Sequence, residues 1–468
     1  MMKLYDSRLK KKVDFVPLNP NEVRIYVCGP TVYDDAHLGH ARSAIAFDLL
    51  KRVLLSSGYQ VTLVKNFTDI DDKIINKCLE TKEDPHSLTT RYIESYTRDM
   101  EALGVLSPDI EPKATESLEA ITEFIQKLQK EGFAYQTPNG DIYLEVQKDP
   151  KYGSISARGD DENARNRIEH NKDKKDARDF ALWKAYRGEG DLGYPSALGR
   201  GRPGWHIECS AMIEKHLAYP DKEFSIDIHG GGEDLLFPHH ENEASQSRCA
   251  HGKELAKYWL HNGFVTINGQ KMSKSLGNSV FIFNALQNFD GEILRNYLLS
   301  THYREDFDYR TEEISAHKKR LDKIYRLKKR IANATPRGES TPFQAQILKD
   351  LQDDLNISKA FSTLEEMLNT ANQNLDKTPK DKNLQAQIAD DLNFIAKLLG
   401  LGEKDPIEYF QLGISTEQKA QIEQKLQERQ LAKQNKDYTR ADAIREELQA
   451  QGILIMDTPT GSTWEKIL

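Results

Sequence analysis

Val23-Arg24-Ile25-Tyr26-Val27-Cys28-Gly29-Pro30-Thr31-Val32-Tyr33-Asp34, followed closely by His37-Leu38-Gly39-His40-Ala41, decides the fold of this 468-residue chain. Val23, Ile25 and Val27 alternate as in a half-buried strand, whereas Ala41, Ile45, Leu49, Arg52 and Val53 recur at helical spacing until Gly58 stops the run. Residues 60–64 then read as a second strand. This is a β-α-β unit, and it predicts an α/β fold built on a parallel sheet. Gly39, between two imidazoles at the strand-to-helix turn, lets the backbone approach a nucleotide, and the helix N-terminus offers free N–H groups and a positive dipole end to phosphate. Taken alone, the His-x-Gly-His run is explained equally well by a surface turn.

A second polar cluster, Lys271-Met272-Ser273-Lys274-Ser275-Leu276-Gly277-Asn278, places two ammonium groups and two hydroxyls on one loop, a set suited to gripping a departing pyrophosphate. In this order and after this strand, the two clusters resemble the HIGH and KMSKS signatures of class I aminoacyl-tRNA synthetases. Three further segments are similar to those of the cysteinyl-tRNA synthetase family. They are Val27 to Asp34, Gly204-Trp205-His206-Ile207-Glu208-Cys209-Ser210-Ala211-Met212, and Phe237-Pro238-His239-His240-Glu241-Asn242-Glu243. The last reads as a helix start after a strand through Phe224, Ile226 and Ile228 ended by Gly230-Gly231-Gly232, with Pro238 in the first helical turn and His239 and Glu243 on one face.

Two thiols, an imidazole and a carboxylate suit the borderline softness of zinc. No CxxC pair is present, and the spacing alone reads Cys28 and Cys209 as buried structural cysteines. The resemblance implies the opposite: Cys28, Cys209, His239 and Glu243 match the family's zinc ligands, with His240 left as an alternative to His239. Cys78 and Cys249 match no ligand position and read as core thiols. A metal would also explain selectivity, because a cavity rejects a slightly smaller isostere weakly while a thiolate binds zinc far better than an alcohol does.

The resemblance further implies ATP-dependent formation of cysteinyl-adenylate and transfer to the terminal adenosine of tRNA(Cys), with Mg2+ accompanying ATP and one zinc per chain. By the same match His37, His40, Lys271 and Lys274 would serve catalysis. Gly29, Thr31, Gly39, Gly230, Asp234 and Val265 would join His37, His40 and Lys274 around ATP and the adenylate, and Thr68 and Trp205 would flank the amino acid with Cys28. Arg440, Arg445, Asp457 and Trp464 are candidates for tRNA contact, although a core tryptophan explains Trp464 as well. The alternatives are a cysteine ligase of the same fold with a small-amine acceptor and an inactive zinc-containing RNA-binding relative.

Composition bounds these readings. With 38% hydrophobic and 29% charged residues, the chain is that of an ordinary soluble protein. Its N-terminus lacks a signal-peptide pattern, no run reaches membrane-spanning length, and four unpatterned cysteines point to a reducing cytoplasm. The formal charge of −8 sits awkwardly with a tRNA partner. Local clusters compensate only in part: residues 317–330 carry cations around an apolar stripe, which taken alone reads as a solvated helix face, and Arg165, Arg167, Lys172 to Lys175 and Arg178 are mixed with acids.

The expected organisation is a Rossmann-like catalytic domain split by a connective insertion, followed by a helical bundle and a small anticodon-binding domain. Its segments are 1–115 with the HIGH motif, the insertion 116–203, the second catalytic half 204–265, a KMSKS and stem-contact region 266–335, the bundle 336–405 and the anticodon-binding domain 406–468. The family resemblance implies a monomer.

Overall fold

The computed structural model describes residues 2–157, 173–272, 277–458 and 461–466. Its central sheet has four parallel strands in the order Glu254–Asn262, Phe224–Gly232, Glu22–Val27, Gln60–Lys65. Val23, Ile25, Tyr26, Val27, Ile226 and Ile228 are all but excluded from solvent, as strands covered on both faces require. Register places Val27 opposite both Gly230 and Lys65, so Cys28, the Gly230–Gly232 run and Asn66 emerge together at the carboxyl end of the sheet. Ligand sites of open parallel sheets lie at that end.

The helix Leu38–Ser56 crosses between the first two strands. It is buried almost all round, polar residues included, because the sheet covers one side and the helix Lys382–Leu399 packs on another. Buried charges there are tied together: Asp48 Oδ2 accepts from Arg52 Nε at 2.8 Å and from Arg295 Nη2, while Asp48 Oδ1 accepts from Leu106 N at 2.8 Å. The guanidiniums also donate to carbonyls of Gly104, Lys397 and Leu399, joining the sheet domain to the bundle. Asp48→Ala is expected to cost about 3–5 kcal/mol, because it leaves two buried cations uncompensated. Urea denaturation measures this, and a loss below about 1 kcal/mol would mean that the carbonyls suffice by themselves.

The insertion holds the helix Leu118–Lys130 and a four-stranded antiparallel sheet of Ala134–Gln136, Ile142–Leu144, Phe180–Ala185 and Gly201–Pro203. Arg165, Arg167 and Lys172 lie outside the described residues. Cys249 is buried as expected of a core thiol, whereas Cys78 is only half-buried at the edge of the main core.

The basic helix, Ile314–Arg330, differs from its reading as a solvated face. Lys323 pairs with Glu365, Arg326 and Lys329 with Glu465, Arg330 with Asp376, and Lys328 Nζ donates to the carbonyls of Gly402 and Lys404. These cations hold a neighbouring helix, the loop before Pro406 and the C-terminal hairpin, which bring matching acids and loop carbonyls to them.

Packing also moves the last domain break. Tyr409, in the short helix Pro406–Phe410, stacks on Tyr325 at 3.8 Å between centroids and belongs with Phe410 to the main core. A separate cluster of Ile422, Leu426, Ile444, Leu448, Ile453, Ile455 and Trp464 begins after Gly413. It is formed by the helices Thr416–Gln434 and Tyr438–Ala450 and the hairpin Ile453–Thr458 with Gly461–Lys466.

Candidate active site

His37 is the N-cap of Leu38–Ser56. Its Nδ1 accepts from Gly39 N at 3.1 Å, and its own N–H donates to His40 Nδ1 at 3.2 Å, a capping box made of two histidines. With both Nδ1 atoms accepting, both rings carry their proton on Nε2. The rings stack at 3.9 Å and line a cavity of about 420 Å³. A Cβ on Gly39 would stand 2.9 Å from the His37 ring, so the stack requires glycine there.

The same cavity is lined by Cys28, Gly29, Thr31, Trp205, Asp234, Val265 and Lys271, so most of the expected substrate residues converge. Two expectations differ, and a third falls outside the described residues. Gly230 is buried behind the wall, where a Cβ would meet the Phe47 ring at 2.2 Å; glycine there serves helix-on-strand packing. Thr68 is also buried, with its hydroxyl donating to Glu208 Oε2 at 3.0 Å. Lys274 lies outside the described residues.

At the floor of the cavity four donors meet. Cys28 Sγ is 3.8 Å from Cys209 Sγ and 3.6 Å from Glu243 Oε1; His239 Nε2 is 3.6 Å from Cys209 Sγ and 3.0 Å from Glu243 Oε1. A zinc tetrahedron with metal–sulfur bonds of about 2.3 Å and metal–nitrogen or metal–oxygen bonds of about 2.0–2.1 Å has edges of about 3.8 Å between sulfurs and about 3.6 Å from sulfur to nitrogen or oxygen. The sulfur-containing edges fit a metal of that size. Cys28, His229, His240 and Glu243 form an overlapping group. In it, His229 Nε2 is engaged with Glu243 Oε2 at 2.8 Å, while His240 Nε2 stands 3.4 Å from Cys28 Sγ and its Nδ1 meets His261 Nε2 at 2.8 Å.

The helix after this segment starts later than the sequence suggested. Phe237 is extended, as a residue before proline tends to be, so residues 236–240 form a wide turn and the helix runs Glu241–His251. His239 therefore reaches Glu243 from the turn, two positions before the helix begins.

Electrostatics follow the cluster. Burial would push the Glu243 carboxyl up, but His229 and His239 outweigh it and hold it down to about 2. Burial likewise opposes charge on His239, yet the facing Glu243 and Cys209 raise it to about 10. The Cys28 thiol is pushed well up by burial and by its neighbour Cys209, while Cys209, despite burial, is drawn down to about 6 by hydrogen bonds from Cys28 and His239.

Sequence reasoning missed the supports of these donors. His206 Nδ1 meets His239 Nδ1 at 2.9 Å, His229 fixes the far oxygen of Glu243, and Asn66 Oδ1 accepts from Gly29 N at 2.9 Å. Such outer partners orient metal ligands. The signal was polar residues inside segments otherwise apolar enough to be buried: His229 follows Ile228, and His206 precedes Ile207.

The C-terminal candidates separate. Trp464 is 2% exposed, faces Ile455 across the hairpin and donates Nε1–H to Glu423 Oε1 at 2.6 Å; it is a core residue and cannot stack on a base. Asp457 pairs with Arg429 at 2.7 Å and Lys433 at 3.2 Å, Arg440 reaches Glu428 at 3.4 Å, and Arg445 is exposed.

The parallel sheet, the capped His-x-Gly-His turn and the cavity at the strand ends define a class I aminoacyl-tRNA synthetase catalytic domain. Residues 14–319 match the family described as tRNA synthetases class I (C) catalytic domain, residues 347–403 a DALR domain, and residues 416–464 the cysteinyl-tRNA ligase anticodon binding domain. The cysteine–tRNA ligase of Wolinella succinogenes is 59% identical over 466 residues, and that of Nitratiruptor sp. 57% identical over 466, each match spanning 100% of both chains. The chain belongs to the cysteine–tRNA ligase family. Among solved structures, Mycobacterium tuberculosis methionyl-tRNA synthetase in complex with methionyl-adenylate aligns with a TM-score of 0.59 at 17% identity, covering 81% of this chain and 92% of that one. An Agrobacterium radiobacter K84 LeuRS in a ternary complex with tRNA and LeuAMS aligns at 0.61 and 12% identity, over 83% and 85%. These two likenesses speak for the fold alone.

Proposed function

We propose that this protein activates L-cysteine with ATP and Mg2+ as cysteinyl-adenylate and transfers the cysteinyl group to the 3′-terminal adenosine of tRNA(Cys), as a cytoplasmic monomer. The observation that carries the amino-acid specificity is the four-donor floor of Cys28, Cys209, His239 and Glu243, whose sulfur edges fit a zinc tetrahedron. Bound zinc supplies a soft Lewis-acidic centre that takes a thiol as thiolate and passes over an alcohol. His239 is favoured over His240 because the donor group that contains it holds both thiols and Glu243, whereas the group with His240, whose Nε2 stands 3.4 Å from Cys28 Sγ, holds one thiol.

The chain's own residues do the rest by position and charge. Trp205, stacked on His239 at 4.1 Å, walls the side-chain end of the cavity. The Nε2–H groups of His37 and His40 donate to phosphate oxygens as charge develops during adenylation. Lys271 and Lys274 neutralise pyrophosphate as it leaves. Gly29, Thr31, Asp234 and Val265 hold the adenylate, and Thr68 supports the amino-acid end through Glu208. Arg440, Arg445 and Asp457 belong to the tRNA-binding end.

The acceptor is tested by cutting the chain after Gly413, where the C-terminal cluster begins. Cysteine-dependent exchange of pyrophosphate into ATP is expected to persist, while charging of tRNA falls at least about tenfold, since remote binding energy positions the acceptor end. Equal charging by the cut and full chains would mean that the C-terminal segment does not read the anticodon, and no charging by the full chain would favour the small-amine acceptor.

A further inference from the structure

Asp354 and Leu355 are consecutive non-glycine residues in the left-handed region, with φ of 62° and 55°, and both are buried. Such backbone persists only where its surroundings over-determine it. Here they do. Asp354 Oδ1 accepts from Tyr5 N and from Tyr303 Oη, each at 2.9 Å; Oδ2 accepts from Arg304 Nε at 2.9 Å and Nη2 at 2.8 Å. Its carbonyl takes His302 Nε2–H at 2.7 Å, because His302 Nδ1 is engaged by Arg304 N, and its own N–H donates to Lys3 O at 2.9 Å.

Segment 302–306 is therefore gripped by the bundle from one side. From the other, Arg42, five residues after His37 in the capped helix, donates to the carbonyls of Leu298, Thr301 and His302. The gripped segment in turn holds the nucleotide end of the cavity: Tyr303 O accepts from Gly263 N at 2.9 Å, Asp306 Oδ1 accepts from Phe264 N at 2.9 Å, and Phe307 pairs in parallel with Val265. A Cβ on Gly263 would stand 2.5 Å from Glu305 O, so the two backbones touch. Asn262, Gly263, Phe264 and Val265 all line the cavity.

We propose that Asp354, a bundle residue remote from the reacting atoms, is a positioning residue for ATP, acting through Tyr303 and Arg304 on the Gly263–Val265 wall. This rests on the adenylate-forming reading above. The path leaves the cysteine end alone, since neither Cys28 nor Cys209 nor Trp205 touches segment 302–306 through any of these bonds. Its signature is thus a split between the two substrates.

The test is pyrophosphate exchange by full-length Asp354→Asn, because asparagine keeps the shape, accepts from Tyr303 and tolerates left-handed backbone while losing the charge that faces Arg304. The KM for ATP is expected to rise about tenfold, with the cysteine KM within about twofold, alongside a lowered melting temperature because the amide nitrogen meets the Arg304 donors. Arg304→Gln should act alike, and the double variant Asp354→Asn with Arg304→Gln should recover to within about threefold of wild type, since removing both partners costs less than orphaning one. An unchanged ATP KM, a cysteine KM that rises equally, or a lowered melting temperature with both KM values intact would overturn the assignment. Wild-type protein lacking cysteine-dependent exchange would instead sink the adenylate-forming reading itself.

Discussion

Cys209→Ser is expected to abolish cysteine activation and to empty the metal site together. Cys209 is 1% exposed, within 3.8 Å of Cys28 Sγ and 3.6 Å of His239 Nε2, so serine enters without a steric change and the chain should fold. It brings an alcohol where the tetrahedron needs a thiolate. Loss of an outer-shell partner costs about 10–100-fold in metal affinity or activity, so loss of a ligand atom should cost about 10³-fold or more in kcat/KM for cysteine. Zinc measured by mass spectrometry should fall from one per chain to near zero. Chelation of the wild type should mimic the variant and be reversed by zinc. In the wild type, serine should support exchange very poorly even at high concentration, because its hydroxyl keeps its proton. Full zinc content in Cys209→Ser with an unchanged cysteine KM would remove Cys209 from the site, and ready serine activation would remove the metal from selection.

The contrast between this site and the His-x-Gly-His turn shows what a sequence can carry. Local features were legible: alternation through Val23, Ile25 and Val27, helical spacing after Ala41, and a glycine between the two imidazoles, read for approach to a nucleotide where the His37 ring is what crowds it. Cys28 and Cys209 were different. They stand 181 positions apart, and spacing cannot say that Val27 lies beside Gly230, which is what brings strand end, helix and turn to one point. Without a family resemblance each is simply a buried thiol. Charge runs misled for a related reason, since Lys323, Arg326, Lys329 and Arg330 meet their acids across the fold, at Glu365, Asp376 and Glu465, while Lys318 pairs within the run, with Asp322. The terminal break moved because Tyr409 stacks on Tyr325, a contact that Gly402 and Pro406 do not announce. Trp464 was decidable in principle: Ile453 and Ile455 alternate inward on the facing strand, and an aromatic opposite them belongs to the same face.

The two histidines of the capping box should come apart under substitution. His40 has two tasks on two atoms, Nδ1 accepting from His37 N at 3.2 Å and, in the proposed reaction, Nε2–H donating to phosphate. Asparagine sets an amide oxygen near the place of Nδ1 and nothing at Nε2; glutamine, a usual third residue of a capping box, keeps the cap with its amide oxygen, as Gln418 does for Ser415 N at 3.0 Å. His40→Asn should therefore keep the melting temperature while kcat for adenylate formation falls about 10²–10³-fold, the scale of losing one preorganised donor to developing charge. His40→Gln should keep the melting temperature as well, because its amide oxygen takes over the bond to the His37 N–H. Thermal melts and single-turnover adenylation resolve the two effects. Should His40→Asn keep kcat within about threefold, the donor at Nε2 does not act on the transition state, and the cap alone accounts for histidine at this position.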